Sequence, residues 1–320
     1  MRVSALLMIV AIILGGSNAV AQQFPSQPVR VVVPFPPGGG TDILVRLIQD
    51  KYSAKLGQPV VIDNRPGASG NIGAGVVAKS KADGHTLLVQ ATIVGIYPSI
   101  YRDLPYDPQK DFIWVGGVAE SPAVIVTNPN SKYKTIADLM AEGKARRKQV
   151  NFASAGVGSP QHLATERLGR LNDVEFTHVP YKGSATAITD LLSGVLDFGT
   201  LSFSSVLPLI QEGKLRPLAL ASDRRSKLAP DVPTLKESGL GDVSGTVRFI
   251  IGAPAGTPDA AIEKLSADLN AVVKEPDIQK DFEKRGYEMT LASPKEVLAM
   301  VREQKELWEP LVRELKLKFD

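Results

Sequence analysis

Three groups of side chains could do covalent or metal chemistry, and none forms a complete set. The only histidines are His85, His162 and His178. None stands at metal-ligand spacing from a second ligand, so no metal or other cofactor is expected. Cysteine is absent, which removes disulfides, thiolate metal sites and cysteine nucleophiles. Ser159 and His162 sit around one expected helix start, whereas a nucleophile and its base converge from separate elements. Ser159 reads better as a helix cap or an anion donor. Lys182, between Tyr181 and Gly183, is a Schiff-base lysine, a cation at a cleft, or an exposed loop lysine.

Backbone chemistry is more prominent. Val29–Val33 is a β-branched run that ends in Pro34-Phe35-Pro36-Pro37-Gly38-Gly39-Gly40-Thr41-Asp42 and leads into an amphipathic segment. The order reads as strand, tight loop, helix. Such a loop aims the free N–H groups and positive end of a helix dipole at a cleft, which favours an anion. The same glycines also suit a turn with no ligand. No Gly-Lys-Ser/Thr follows, so this is not a nucleotide phosphate loop. A second glycine-rich loop, Asn64 to Gly75, follows the strand Val60–Asp63. Its Gly73-Ala-Gly75-Val-Val-Ala78 imitates a dinucleotide fingerprint but stands too far from the strand.

The elements that must position these loops alternate along the chain. Strands are expected at Leu87–Ala91, Phe112–Val115, Ala123–Val126, Val150–Ala153, Phe176–Val179, Leu196–Phe198 and Leu215–Leu220. Helices are expected at Thr41–Leu56, from the cap Thr135 through Lys144, at Pro160–Leu171 and at Ser184–Ser193. The third and fourth loops are Ser154–Ser159 and Pro180–Ser184. This alternation implies a parallel or mixed sheet with helices on both faces. Two pairs of loop-bearing units suggest two α/β domains with their loops at one cleft, since ligands in open α/β sheets sit at the carboxyl ends of strands. From Pro258 onward the chain reads as helical, with a last helix over Pro294–Leu315. Those helices would return to the first domain, giving two crossovers and a hinge.

The N-terminus is separate from this pattern. Arg2, an apolar stretch from Ala5 to Leu14 and Ala19-Val20-Ala21 match a cleavable signal peptide, residues 1–21, cut before Gln22. That apolar stretch is too short to span a membrane and no second run of membrane length exists, so an exported, soluble chain is expected. A net charge of +3 over 320 residues gives no case for nucleic acid.

In order, these stretches resemble the extracytoplasmic solute receptors of tripartite tricarboxylate transporters, the Bug-type receptors. The matching residues are Val33-Pro34-Phe35-Pro36-Pro37-Gly38-Gly39 with Asp42 and Arg46, and Asn64-Arg65-Pro66-Gly67-Ala68 with Gly70, Ile72 and Gly73. Further matches are Asp83-Gly84, Leu104–Pro108, Gly156 with Gly158-Ser159 and His162-Leu163, Val179–Gly183, Gly213–Arg216, Pro230–Thr234 and Pro254–Pro258.

The resemblance implies a periplasmic α/β Venus-flytrap receptor of the periplasmic-binding-protein fold. Each lobe would be a mixed sheet flanked by helices, with a hinge between lobes. One lobe would combine 24–121 with 245–320, and the other would span 122–244. It implies a monomer that captures a small organic acid for separate membrane subunits, with a sensor role or, less readily, an enzyme as alternatives. The implied ligand-binding residues are Phe35, Pro36, Gly38, Gly39, Thr41, Asp42, Gly67, Ala68, Ser69, Gly70 and Thr92 in the first lobe. In the second they are Ser154, Gly158, Ser159, His162, Tyr181, Lys182, Gly183, Thr200 and Ser202.

Two departures from relatives bear on the ligand. Arg248 stands in Arg248–Gly252 where relatives often have a Trp-Tyr-Gly-like run, and it either adds a cation to the cleft or is exposed. Leu201-Ser202-Phe203 lacks the acidic residue many relatives carry there. A ligand without an amino group and with an apolar or aromatic body is expected.

Overall fold

The computed structural model describes residues 24–319, so the expected signal peptide lies outside them. The strands fall into two mixed sheets. The first contains β1 (Val29–Val33), β2 (Val60–Asn64), β3 (Thr86–Ala91), β4 (Phe112–Ser121), β10 (Val247–Pro254) and β11 (Glu288–Ala292), in the order β11-β4-β10-β3-β1-β2. The second contains β5 (Ala123–Thr127), β6 (Asn151–Ser154), β7 (Thr177–Pro180), β8 (Phe198–Ser202) and β9 (Arg216–Ala221), in the order β7-β6-β8-β5-β9.

Strand β1 lies between β2 and β3, parallel to both, with Val29 opposite Val60 and Arg30 opposite Thr86. All four of its valines are buried, as a central strand covered on both faces requires. Helix α1 (Gly40–Leu56) makes the crossover and buries Leu44, Val45, Ile48, Tyr52 and Leu56, a stripe at helical spacing. It stops at Gly57, whose φ of 71° is the left-handed C-terminal geometry that glycine adopts without a Cβ penalty.

Helix α2 (Asn71–Ala78) follows the second loop, and the short α3 (Tyr97–Ile100) follows β3. In the second lobe, α4 (Ile136–Ala145) and α5 (Pro160–Leu171) bury Leu139, Ala164 and Leu168 on one face of the sheet. Helices α6 (Ser184–Ser193) and α7 (Phe203–Gln211) bury Ala187, Leu191, Val206 and Leu207 on the other. Thr135 caps α4 through a reciprocal capping box with Asp138.

The C-terminal part contains α8 (Asp259–Val273), α9 (Pro276–Lys284) and α10 (Pro294–Glu314), and it is not helical throughout. Strand β11 interrupts it and pairs with β4. Its sequence, Glu-Met-Thr-Leu-Ala, is short and only partly buried because it is an edge strand, so it lacks the apolar run that marks β1. Strand β4 is also longer than Phe112–Val115. It runs antiparallel to β10 within the first sheet.

The chain crosses between the sheets at Pro122, the one residue between β4 and β5, and again between β9 and β10. The lobes also touch away from these crossings. Tyr101 donates its hydroxyl to the Val157 carbonyl at 3.0 Å, and Arg170 pairs with Glu314.

Candidate functional site

The loop after β1 is held by one buried carboxylate. Asp42, only 1% exposed, accepts hydrogen bonds from the Gly38 N–H at 2.9 Å and from Arg46 at 2.8 and 3.0 Å. It also accepts from Asn64 Nδ2 at 3.0 Å. Burial alone would raise its pKa, but the bonds from Arg46, Gly38 and Asn64 outweigh it and hold the carboxyl below its ordinary range. Asn64 also donates to the Phe35 carbonyl at 3.0 Å, tying the second loop to the first. Asp42 is thus spent on shaping the loop. Gly39 then opens α1 without a side-chain cap, leaving its first-turn N–H groups directed forward.

In the second loop, Gly67, Ala68, Ser69 and Gly70 all have positive φ, at 134°, 46°, 53° and 96°. Two consecutive non-glycine residues in this region cost free energy and persist only where the surroundings impose them. Tyr97 supplies part of that constraint, since its buried hydroxyl donates to the Ser69 carbonyl at 3.1 Å.

The second lobe offers neutral groups. Ser159 caps α5 by accepting from the His162 N–H at 3.2 Å, and its hydroxyl lies 3.4 Å from Ser154 Oγ. Ser154 Oγ is 2.7 Å from His178 Nε2, and the His178 ring stacks on His162 with centroids 3.9 Å apart. Burial, with the His162 ring beside it, pushes the His178 imidazole down to about 2, so it stays neutral at ordinary pH. His162 Nδ1 accepts from the Gly158 N–H at 3.1 Å, which fixes the proton on Nε2, 3.6 Å from Glu166. Helix α6 starts after Gly183 with no side-chain cap.

Between the lobes these elements enclose a cavity of about 40 Å³. One water needs about 10–15 Å³, so several small groups fit. Six of the residues singled out from the sequence line it: Phe35, Gly39, Thr41, Ser69, Ser159 and Ser202. The others stand behind or beside them. Gly38 and Asp42 belong to the loop knot, and Gly67, Ala68 and Gly70 to the left-handed turn. Ser154, Gly158 and His162 form the support of Ser159.

Pro36 touches the other lobe, where a Cβ on Gly183 would lie 3.1 Å from its Cδ. Thr200 is buried and accepts from Thr165 at 2.7 Å. Thr92 is buried outside the lining. Tyr181 donates to Asp190, and burial and that carboxylate raise its phenol to about 12. Lys182 is exposed and does not line the cavity.

Sequence reasoning missed several lining residues. Strand β10 turns Val247 and Phe249 into the cavity, while Arg248, between them, points away and lies 3.3 Å from Glu120. Period-two alternation assigns these faces once β10 is recognised as a strand. Gln90 and Gln161 also line the cavity, at 0% and 2% exposure. Gln90 lies near the end of an otherwise apolar strand, and a polar residue in such a run is the signal that marks it. No lining residue carries a charged side chain.

Two α/β lobes closing on a cavity are the architecture of a periplasmic binding protein. The periplasmic binding protein BugD shares it at a TM-score of 0.87 and 31% identity, over 92% of this chain and 100% of its own. The model of the tripartite tricarboxylate transporter family receptors matches residues 44–317, and the chain belongs to that family. An R. palustris protein solved with adipate is 33% identical, with a TM-score of 0.87 over 91% of this chain and 97% of its own. MatC from Rhodopseudomonas palustris, solved with bound malate, is 31% identical, with a TM-score of 0.84 over 90% and 100%.

Proposed function

We propose that the chain is an exported, periplasmic receptor that captures a small organic carboxylate and delivers it to separate membrane transporter subunits. Its lobes would divide as 24–121 with 245–320, and 122–244. It would work as a monomer and without catalysis.

The observation that carries this reading is the uncharged cavity at the uncapped start of α1. A carboxylate there gains the helix dipole and first-turn N–H groups without a cationic side chain. The absence of an acidic lining residue leaves no partner for an ammonium group, so the ligand lacks one. Phe35, Ile93, Tyr97, Val247 and Phe249 favour an apolar or aromatic body. The adipate and malate held by two relatives support a carboxylic acid as the ligand class.

A thermal-shift panel of mono-, di- and tricarboxylates, aromatic acids and acidic amino acids tests the reading. A true ligand at about 100 times its Kd stabilises by roughly 2.7 kcal/mol. The expected result is a shift confined to acids without an amino group, with the acid recovered unchanged. A shift with aspartate or glutamate alone, or a chemically altered ligand, overturns it.

A further inference from the structure

Two buried amides face the cavity with unspent hydrogen-bonding capacity, one from each lobe. Gln90, on β3, is fully buried. Its Oε1 accepts from the Ala91 N–H at 2.9 Å, which sets the amide's orientation, and its Nε2 has no partner. The Nε2 lies beside the strained second loop, where a Cβ on Gly70 would stand 2.9 Å from it. Gln161, in the first turn of α5, is 2% exposed, and its Oε1 has no partner. A buried donor or acceptor left unpaired carries its uncompensated desolvation cost, so such groups in a binding cavity mark hydrogen bonds that a ligand completes.

From this pair, and resting on the carboxylate reading above, we propose that the ligand is a monocarboxylate whose second polar group is neutral, a hydroxyl or a carboxamide. Such a group accepts from Gln90 Nε2 and donates to Gln161 Oε1. A second carboxylate accepts from Gln90 Nε2 but fails at the other contact. It has no proton for the Gln161 carbonyl, and the cavity holds no cation to offset its burial. The two amides therefore select against the dicarboxylates that a charged cavity would welcome, and this chain would differ from its adipate- and malate-bound relatives in that respect.

Isothermal titration at pH 7.5 with matched pairs decides it: succinate against succinamate, glutarate against glutaramate, adipate against adipamate. Each pair differs only in one carboxylate or carboxamide. The expected result is at least tenfold tighter binding of the monoamide in the pair of best-fitting length. In the Gln90→Leu and Gln161→Leu variants the monoamide weakens at least tenfold while the dicarboxylate changes less than threefold, so the preference closes. A dicarboxylate that binds as tightly as its monoamide, or tighter, in every pair overturns this inference and leaves the carboxylate reading standing. Binding of a neutral diamide with no binding of either acid overturns both. The pairs are read on the unaltered protein, so the outcome does not depend on either variant folding.

Discussion

The lobes meet along two seams of opposite chemistry. Around the cavity the contacts are neutral and made at backbone distance. A Cβ on Gly40 would lie 2.9 Å from Ser204 Oγ, and one on Gly156 would lie 2.5 Å from Ser69 Oγ. On the outer side the contacts are charged and half-solvated. Arg224 pairs with Glu288 and lies 3.8 Å from Glu120, which Arg248 also approaches, beside a groove of about 420 Å³. Short backbone contacts have one fitting geometry, whereas flexible ion pairs re-form in many. The inner seam therefore specifies the closed state, and the outer seam only tolerates it.

The inner seam is tightly packed at Gly40. Its Cβ would also lie 3.1 Å from Ser202 Oγ and 3.3 Å from Ser205 Oγ, so three hydroxyls of the second lobe surround the missing side chain. Gly40 is the first residue of α1, and the neighbours that crowd it come from the opposite lobe. Gly40→Val is expected to leave the unliganded melting temperature within a few degrees and to weaken binding roughly 100-fold. That matches the upper part of the ~1–3 kcal/mol typical of overpacking. Gly39→Ala is the control, since the nearest atom to its Cβ would be the Pro36 carbonyl at 3.6 Å. Titration of both variants with one ligand checks it. Near-equal affinities would mean the seam is not steric.

That control shows where sequence reading stops. The βα alternation was legible because β1, β3 and β5 are buried apolar runs and α1 and α5 carry periodic stripes ended by recognisable caps. The glycine loops were legible as strand-to-helix turns. Which glycine bears the close approach was not, because the crowding atoms at Gly40 come from Ser202, Ser204 and Ser205, more than a hundred residues away. Gln90 is marked in the sequence as a polar residue in an apolar strand, but its role depends on what its amide fails to meet in three dimensions. Asp42 entered as a ligand contact through the family resemblance, and only the bonds from Gly38, Arg46 and Asn64 reveal a holding role.

The neutral character of the inner seam extends to the His162–His178 stack behind Ser159. His178 ordinarily titrates near 6.5, and in the folded chain its pKa falls to about 2. Between those values the unfolded chain binds a proton that the folded chain refuses, so stability falls as pH drops below 6.5. The loss approaches about 1.4 kcal/mol per pH unit, or roughly 2 kcal/mol at pH 5. Urea unfolding at pH 7.5 and pH 5 checks this against His178→Gln, which keeps a polar partner for Ser154 and cannot titrate. The variant is expected to lose about 2 kcal/mol less than the parent over that interval. An identical loss in both proteins would place the acid sensitivity in groups other than His178.

The outer seam should give the smallest effect. Arg224 has a side chain 67% exposed and Glu288 one 36% exposed, so water and salt compete with their attraction. Exposed pairs of this kind contribute about 0–1 kcal/mol, and the Debye length of about 8 Å at 0.15 M ionic strength already covers the contact's surroundings. Arg224→Ala is therefore expected to weaken ligand binding less than about fivefold at 0.15 M salt, the equivalent of about 1 kcal/mol. The effect should shrink further at 1 M salt. Arg248→Ala should behave alike, because its partner is Glu120 and not the cavity. A 100-fold loss that persists at 1 M salt would show that closure is held by unscreened charge across the outer seam. The division between a seam that specifies and a seam that tolerates would then fail, since both would be required for the same closed geometry.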